Sequence, residues 1–474
     1  MSEVKNVIVI GAGPAGLSCA YELSKAGVKV DVYEASPYVG GMARSFDLWG
    51  QRVDVGPHRF FSKEKKINQF FSELVKNDYT LVNRLTRIYY NKRFFDYPLK
   101  LGNVLGNLSP FTIISIMFYY AKQRVFPIKN PKTFEEWVTN RFGKKLFEIF
   151  FKNYSEKLWG IPCSKIDADW AAQRIKSLSL FEAVKSAMFG DKNKKHKTLV
   201  DQFAFPKNGT GTIYERAADF VNLNGGKVHL NTPVNKLIIE NGKAVGIELK
   251  DGSIVKADKV VSSMPITTLV KNMENTPKEV LDACDKLYFR NTILAYLEVD
   301  SLDLFKDNWV YVHSPDVLHG RITNFRNWCP SLNRDKKTSI LCLEFWSFFE
   351  DEIWTMDDAK IAQMAKEEVV KTGLVKPEVP IINEFVMRVP RCYPVYETGY
   401  QGHIQKVITH LNKVENLIPI GRYGSFKYNN QDHSILMGLL AAEKILGTSN
   451  ANLWDINTDT EYQEEGKIKD VLVG

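Results

Sequence analysis

Cysteine is scarce and scattered: six residues in 474, at positions 19, 163, 284, 329, 342 and 392, none in a Cys-x-x-Cys pair. That pattern excludes a dithiol relay and a cysteine-built zinc site, and suits a reducing compartment. A second Gly-x-Gly-x-x-Gly is also missing, which argues against a reductase holding two dinucleotides. No RRM-like, zinc-finger or helix-turn-helix signature is present, so nucleic acid is not expected as a partner. Long hydrophobic runs are absent too. The longest, Phe111–Ala121, is far short of the ~20 residues that span a bilayer. It is expected to be a structural helix, the alternative being an aromatic surface that rests on a membrane. No basic leader with a cleavage site precedes the first apolar run, so the expected location is cytoplasmic, at most peripheral to the inner membrane. Repeats and low-complexity segments are lacking.

What is present is large and mildly basic. A chain of 474 residues exceeds one compact core, and two or three domains are expected. Hydrophobic residues make up 44% and aromatics 12%, which suits a soluble enzyme with aromatic-lined clefts; the net charge of +8 suggests a basic cleft for an anionic ligand or weak attraction to acidic lipid.

The most informative segment is Val7-Ile-Val-Ile-Gly11-Ala-Gly13-Pro-Ala-Gly16, with Glu34 standing 18 residues after Gly16. Four β-branched residues predict a buried strand, and Leu17–Ala26 predicts the returning helix. Gly11 permits the tight turn, Gly13 lets the backbone reach a pyrophosphate, and Gly16 lets the helix approach the sheet. The helix start offers free N–H groups and a favourable dipole to phosphate. Val28–Tyr33 is the second strand, and Glu34 at its end is placed to accept hydrogen bonds from a ribose. Strand, glycines, helix, strand and acid in this order specify a dinucleotide site. Downstream, Gly40-Gly41-Met42-Ala43-Arg44-Ser45 adds paired glycines and an arginine able to offset a diphosphate. This extension resembles the FAD-binding amine oxidases, desaturases and sugar mutases, and the resemblance implies FAD as cofactor.

The fold expected is α/β: a discontinuous Rossmann-like FAD-binding domain with a helical substrate domain and an antiparallel β-sheet domain. The FAD-binding parts are 1–75, 205–268 and 411–448. Residues 76–204 are expected to be the mainly helical substrate domain, with Phe134–Phe151 amphipathic and Lys192–Lys197 a solvated loop. Short strands Val228–Leu230, Lys236–Ile239, Val245–Leu249 and Val255–Ala257 follow, with Asn241-Gly242 and Asp251-Gly252 as hairpin signals, then Lys259–Ser263. By the resemblance, the strand near Val234 supplies backbone contacts to adenine. Strand-like runs such as Thr292–Val299 and Ser339–Trp346 place an antiparallel sheet in 269–410. Leu417-Ile-Pro-Ile-Gly421-Arg422 reads as a strand ending in glycine, and a helix through Leu446 follows, with Asp432 or Ser434 as its N-cap. The start of that helix would face the flavin pyrimidine. The polar tail 449–474 is expected to be dispensable.

A closer resemblance is to UDP-galactopyranose mutase and its relatives in polysaccharide gene clusters. Gly56-Pro57-His58-Arg59-Phe60-Phe61-Ser62 is similar to that family's histidine loop against the flavin, with Phe61 where a second histidine stands. Tyr90-Asn-Lys92-Arg-Phe94-Phe95-Asp-Tyr97-Pro98 resembles its lysine-aromatic-proline hairpin. Tyr154-Ser-Glu156-Lys157-Leu-Trp159-Gly160 resembles its nucleotide-pocket helix, and Tyr393-Pro394-Val395 and Gly421-Arg422…Lys427-Tyr428 its late tyrosine motifs. The resemblance implies isomerisation of a nucleotide sugar between pyranose and furanose through reduced flavin. Under it, Tyr393 and Tyr428 hydrogen-bond the phosphates, Arg321 and Arg174 supply charge, Tyr154 and Trp159 stack on the base, and His58 sits by the flavin edge. Catalysis would fall to His58, Arg321, Tyr393 and Tyr428, and cofactor binding to Gly11, Gly13, Gly16, Glu34, Gly40, Gly41, Met42, Arg44, Pro57, His58, Val234, Gly421, Arg422, Asp432 and Ser434. NAD(P)H would reduce the flavin from the open cleft. Two departures stand out. Leu178 replaces an arginine four residues after Arg174, and Asn430-Gln431 replaces an Asp-Met pair, pointing to a different nucleotide sugar, a lipid-linked sugar or another reaction. The alternative is oxidation of an amine or lipophilic substrate, since Arg391-Cys-Tyr393-Pro-x-Tyr396 faintly resembles the proline-rich strand of desaturases.

Overall fold

The strand Asn6–Ile10 is buried on both faces, as its run of β-branched residues requires. In the computed structural model, which describes residues 4–97, 99, 101–170 and 202–457, this strand is the centre of a five-stranded parallel sheet. The order is Leu417–Pro419, Lys259–Ser262, Asn6–Ile10, Lys29–Tyr33 and Lys227–His229. Three distant parts of the chain therefore share one sheet. The helix Pro14–Lys25 returns over it, and Gln431–Ile445 packs beside that helix, Ser18 Oγ donating to the Ile435 carbonyl at 3.1 Å. Gly11 has φ +95°, a region L side chains avoid, and a Cβ on Gly16 would lie 1.9 Å from the Gly11 carbonyl oxygen. The sharp turn and the close return of the helix are thus written into these two glycines.

The first short strand expected here, at Val228–Leu230, pairs instead with Lys29–Tyr33 in the parallel sheet, while Val234–Glu240, Lys243–Leu249 and Ile254–Lys256 form an antiparallel meander. Asn241 and Gly242 both have positive φ at its first turn, as a two-residue hairpin requires. A second large sheet has seven strands in the order Ile381–Pro394, Phe289–Val299, Ser339–Ser347, Arg321–Asn324, Trp309–Val312, Thr86–Tyr90 and Arg93–Asp96. It departs from expectation in two ways. It recruits its last two strands from 76–204, the segment assigned to the mainly helical domain, where the 90–98 motif resembles a hairpin, and Thr86–Tyr90 runs parallel to Trp309–Val312. The hairpin joining those two strands turns at Asn91 and Lys92, both at positive φ.

The helical layer comprises Leu101–Asn107, Pro110–Val125, Phe134–Phe142, Lys144–Phe147, a wide π-type turn Glu148–Lys152, and Asn153–Trp159. Phe134–Phe151 is therefore not one continuous helix. Gly143 breaks it at φ +80°, where a Cβ would meet the Tyr120 backbone nitrogen at 2.8 Å; that close approach seats Pro110–Val125 on the layer. Thr133 and Glu136 form a capping box at the start of Phe134–Phe142.

The tail is not free. Leu453 is buried, the Lys427 ammonium donates to the Trp454 and Ile456 carbonyls, and Asn457 donates to the Tyr428 carbonyl and to Asn429 Oδ1. Residues 449–457 are thus part of the packed structure, because they cap polar groups of the 427–429 loop.

Candidate functional site

The two large sheets and the helical layer surround one cavity of about 740 Å³. Its first end is the dinucleotide fingerprint. Gly11, Gly13, Glu34, Gly41, Met42 and Val234 all line it. Glu34 accepts from the Ala12 N–H at 2.8 Å and the Ser36 N–H at 2.9 Å, so its carboxylate pins the glycine loop and keeps further acceptor sites. Gly13 and Gly41 present bare backbone to each other: a Cβ on Gly13 meets only the Gly41 Cα, at 4.0 Å, and one on Gly41 meets the Gly13 Cα at 3.2 Å. An acidic residue at the end of the second strand, a glycine cradle and a helix start together fit the ribose and pyrophosphate of FAD.

Pro57, His58, Gly421, Arg422, Asp432 and Ser434 line the middle of the same cavity. The cap of the last helix differs from expectation. Asn430 is the N-cap, and its backbone N–H donates to Nδ1 of His433 at 3.2 Å. Asp432 and Ser434 lie within the first turn, because the chain enters the helix two residues earlier. Gly16, Gly40 and Arg44 do not line the cavity. Gly16 serves packing, and Gly40 holds a turn at φ +92° with its N–H on the Ala12 carbonyl. Arg44 lies 5.6 Å from the Tyr38 ring centroid and donates to the Gly41 carbonyl, because the 3₁₀ turn Gly41–Ala43 places it behind the glycine pair.

Beyond the fingerprint end the cavity is walled by cations and phenols. Arg321 binds Glu344 through two contacts, Nε to Oε1 at 2.5 Å and Nη2 to Oε2 at 2.6 Å. Burial opposes the charge on Arg321, but the Glu344 carboxylate more than offsets it and holds the guanidinium charged. Arg422 is fixed by the Cys392 and Asn429 carbonyls at 2.7 and 2.9 Å. Its guanidinium lies 4.8 Å from the Tyr393 ring and 4.5 Å from the Tyr428 ring. Those two rings stack at 5.4 Å and 20°. Tyr154 stacks on His313 at 4.7 Å and meets Tyr311 and Trp346 edge-on. Burial pushes the phenols of Tyr154 and Tyr393 well above their usual range, so both stay protonated donors.

His58 donates through Nε2 to the Val55 carbonyl at 2.9 Å, since a carbonyl can only accept. Burial, with Arg321 and Arg422 nearby, lowers its pKa to about 4, so the imidazole is neutral at neutral pH.

Trp159 corrects the sequence reading. It is fully buried and absent from the cavity wall, stacking on Tyr396 at 6.1 Å and standing behind Tyr393 and Tyr428. It supports the tyrosines from the core and is not open to a base. Glu156 and Lys157 of the same motif are also structural: Glu156 accepts the Cys163 N–H, and Lys157 donates to the Val312, Ser314 and His319 carbonyls. Arg174, Leu178 and Lys192–Lys197 lie outside the described residues.

Glu344, Tyr311, His313 and Arg84 also line the cavity and were not singled out from sequence. Glu344 alone carried a signal, as the single acid in Ser339–Ser347, a strand buried throughout. The far wall is apolar, built by Phe134, Phe142, Leu146, Phe150 and Phe151.

Comparison with known proteins agrees on the family and divides on the reaction. The chain is 24% identical over 338 residues to a 4,4'-diapophytoene desaturase of Methylomonas sp., covering 64% of this chain and 62% of the desaturase. It is 21% identical to a coproporphyrinogen III oxidase of Staphylococcus aureus, over 93% of this chain and 99% of the oxidase. In structure it is similar to reduced UDP-galactopyranose mutase, with TM-score 0.83 and 23% identity over 97% of this chain and 100% of that one. The family model for flavin containing amine oxidoreductases matches residues 14–380. With the glycine cradle and Glu34 at one end of the cavity, the chain belongs to the flavin containing amine oxidoreductase family and is an FAD-dependent enzyme.

Proposed function

We propose that this enzyme isomerises a nucleotide-activated sugar between pyranose and furanose forms without net oxidation. The observation that carries the reading is the convergence of Arg321, Arg422, Tyr154, Tyr393 and Tyr428 on the cavity that the fingerprint opens. Departure of a nucleoside diphosphate from an anomeric carbon develops negative charge on phosphate oxygens, and fixed cations with hydroxyl donors stabilise it. Arg321, neutralised in part by Glu344, orients the diphosphate. Arg422, held by the Cys392 and Asn429 carbonyls beside the stacked Tyr393 and Tyr428 rings, adds charge without reorganising. Tyr393 and Tyr428 donate to the phosphates, while Tyr154 borders the base. Neutral His58 keeps a proton on Nε2 and positions the adjoining loop. Reduced flavin, when bound, supplies the nucleophile for the anomeric carbon.

A second reading, oxidation of a lipophilic substrate, draws on the five-residue apolar wall and on the desaturase and oxidase relatives. Anaerobic turnover of a nucleotide-sugar panel, with and without dithionite, separates the two. Furanose formed only after reduction supports isomerisation. No isomerisation, with flavin bleached by a lipophilic substrate and restored by air, supports oxidation and overturns the first reading. NAD(P)H replaces dithionite in a parallel assay of the reductant.

A further inference from the structure

The helix Pro110–Val125 is turned inside out. Phe111, Ile114, Phe118, Ala121 and Val125 follow each other at spacings of three and four residues, so they form one stripe. That stripe faces solvent: Phe111 is 85% exposed, Ile114 66%, Phe118 63% and Val125 67%, with Phe126 continuing it at 71%. The opposite face carries buried Ile116 and leans on the layer that includes Gly143. Among the described residues nothing covers the stripe. A patch of this size on one helix marks an interaction surface.

Charge identifies the occupant. From Tyr97 to Pro131 the sequence contains no Asp or Glu but carries Lys100, Lys122, Arg124 and Lys129. Lys122, Arg124 and Lys129 are exposed beside the C-terminal end of the stripe. An apolar stripe with a purely basic fringe complements an anionic lipid surface, where the rings enter the acyl boundary and the cations meet phosphate. A second copy of the chain fits less well, because a symmetric contact sets the patch against itself, without an acid of this segment to pair its cations. No helix among the described residues is long and apolar enough to cross a membrane, so the contact would be interfacial. We infer that Pro110–Phe126 docks this enzyme on an anionic membrane surface. The helices beneath it contribute Phe134, Phe142 and Leu146 to the cavity, so docking sets the apolar end of the cavity one helix layer from the lipid.

The test is co-sedimentation of the holoenzyme with vesicles of phosphatidylcholine alone and of phosphatidylcholine and phosphatidylglycerol in equal parts. Binding is expected to the anionic vesicles, weakened by salt. The exposed triple variant Phe111→Ser, Ile114→Ser, Phe118→Ser is expected to lower partitioning by roughly tenfold or more, with flavin absorbance and the far-UV spectrum unchanged. Lys122→Glu with Arg124→Glu should weaken binding to anionic vesicles selectively. Phe118→Trp supplies an independent readout: its emission, taken as the difference from wild type with its nine native tryptophans, is expected to shift to the blue on vesicles. Failure to bind anionic vesicles overturns the inference, as does undiminished binding by the triple variant. A wild-type dimer by light scattering that the triple variant dissolves also overturns it, and assigns the face to a second copy.

Discussion

Gly13 and Gly16 lie three residues apart, and the structure gives a methyl group opposite consequences at each. At Gly13 the backbone is ordinary, with φ −83° and ψ −176°, and the new Cβ would come no closer than 4.0 Å to protein, at Gly41 Cα. The apoprotein should lose nothing, and even gain about 0.4–1 kcal/mol from a stiffer unfolded chain. The flavin should suffer, because that methyl fills the space between two glycines where the pyrophosphate approaches. Loss of two N–H contacts to a charged phosphate costs about 3–6 kcal/mol at about 1.5–3 each, which weakens FAD by roughly a hundredfold or more. At Gly16 the Cβ would sit 1.9 Å from the Gly11 carbonyl oxygen. Backbone must move, and overpacking of that kind costs about 1–3 kcal/mol before any flavin is added. Urea denaturation of the apoproteins, followed by FAD titration through quenching of flavin fluorescence, measures both quantities. Gly13→Ala should be stable and colourless, and Gly16→Ala unstable. A Gly13→Ala protein that binds FAD as tightly as wild type would refute the placement of the pyrophosphate.

Arg321→Ala should leave Glu344, which is 2% exposed, as an unpaired buried charge and lower stability by about 3–5 kcal/mol. Glu344→Gln in that background should recover much of the loss in a urea melt; no recovery would mean the pair is not coupled. Burial raises the Asp54 carboxyl to about 7, above its unfolded value of about 4. The folded chain then holds a proton that the unfolded chain has released, so stability should fall as pH rises from about 4 to about 7. Asp54→Asn should flatten the stability profile across that window, and an unchanged slope would assign the titration elsewhere. Truncation after Thr448 removes buried Leu453 and the partners of Lys427, Tyr428 and Asn429. It should cost about 2 kcal/mol from the lost apolar burial alone, read as a lower melting temperature, and an unchanged melt would restore the tail to a dispensable role.

Local chemistry decided much of this protein from sequence. A glycine at positive φ, a strand of β-branched residues and an acid at a strand end are each constrained by their own backbone, so Gly11, Gly16, Val7–Ile10 and Glu34 were legible one residue at a time. The meander turn at Asn241-Gly242 was legible for the same reason. What distance in sequence separates could not be read that way. Thr86–Tyr90 joins Trp309–Val312 across more than two hundred residues, Arg321 meets Glu344 only through strand register, and Trp159 lies behind the tyrosines because the core closes over it. The outward stripe at Phe111–Val125 shows the same division. Its 3.6-residue period was present in the sequence, but a period states only that a helix has two faces. Which face the neighbouring helices cover is settled when those helices pack, and the tertiary structure alone left the apolar one bare.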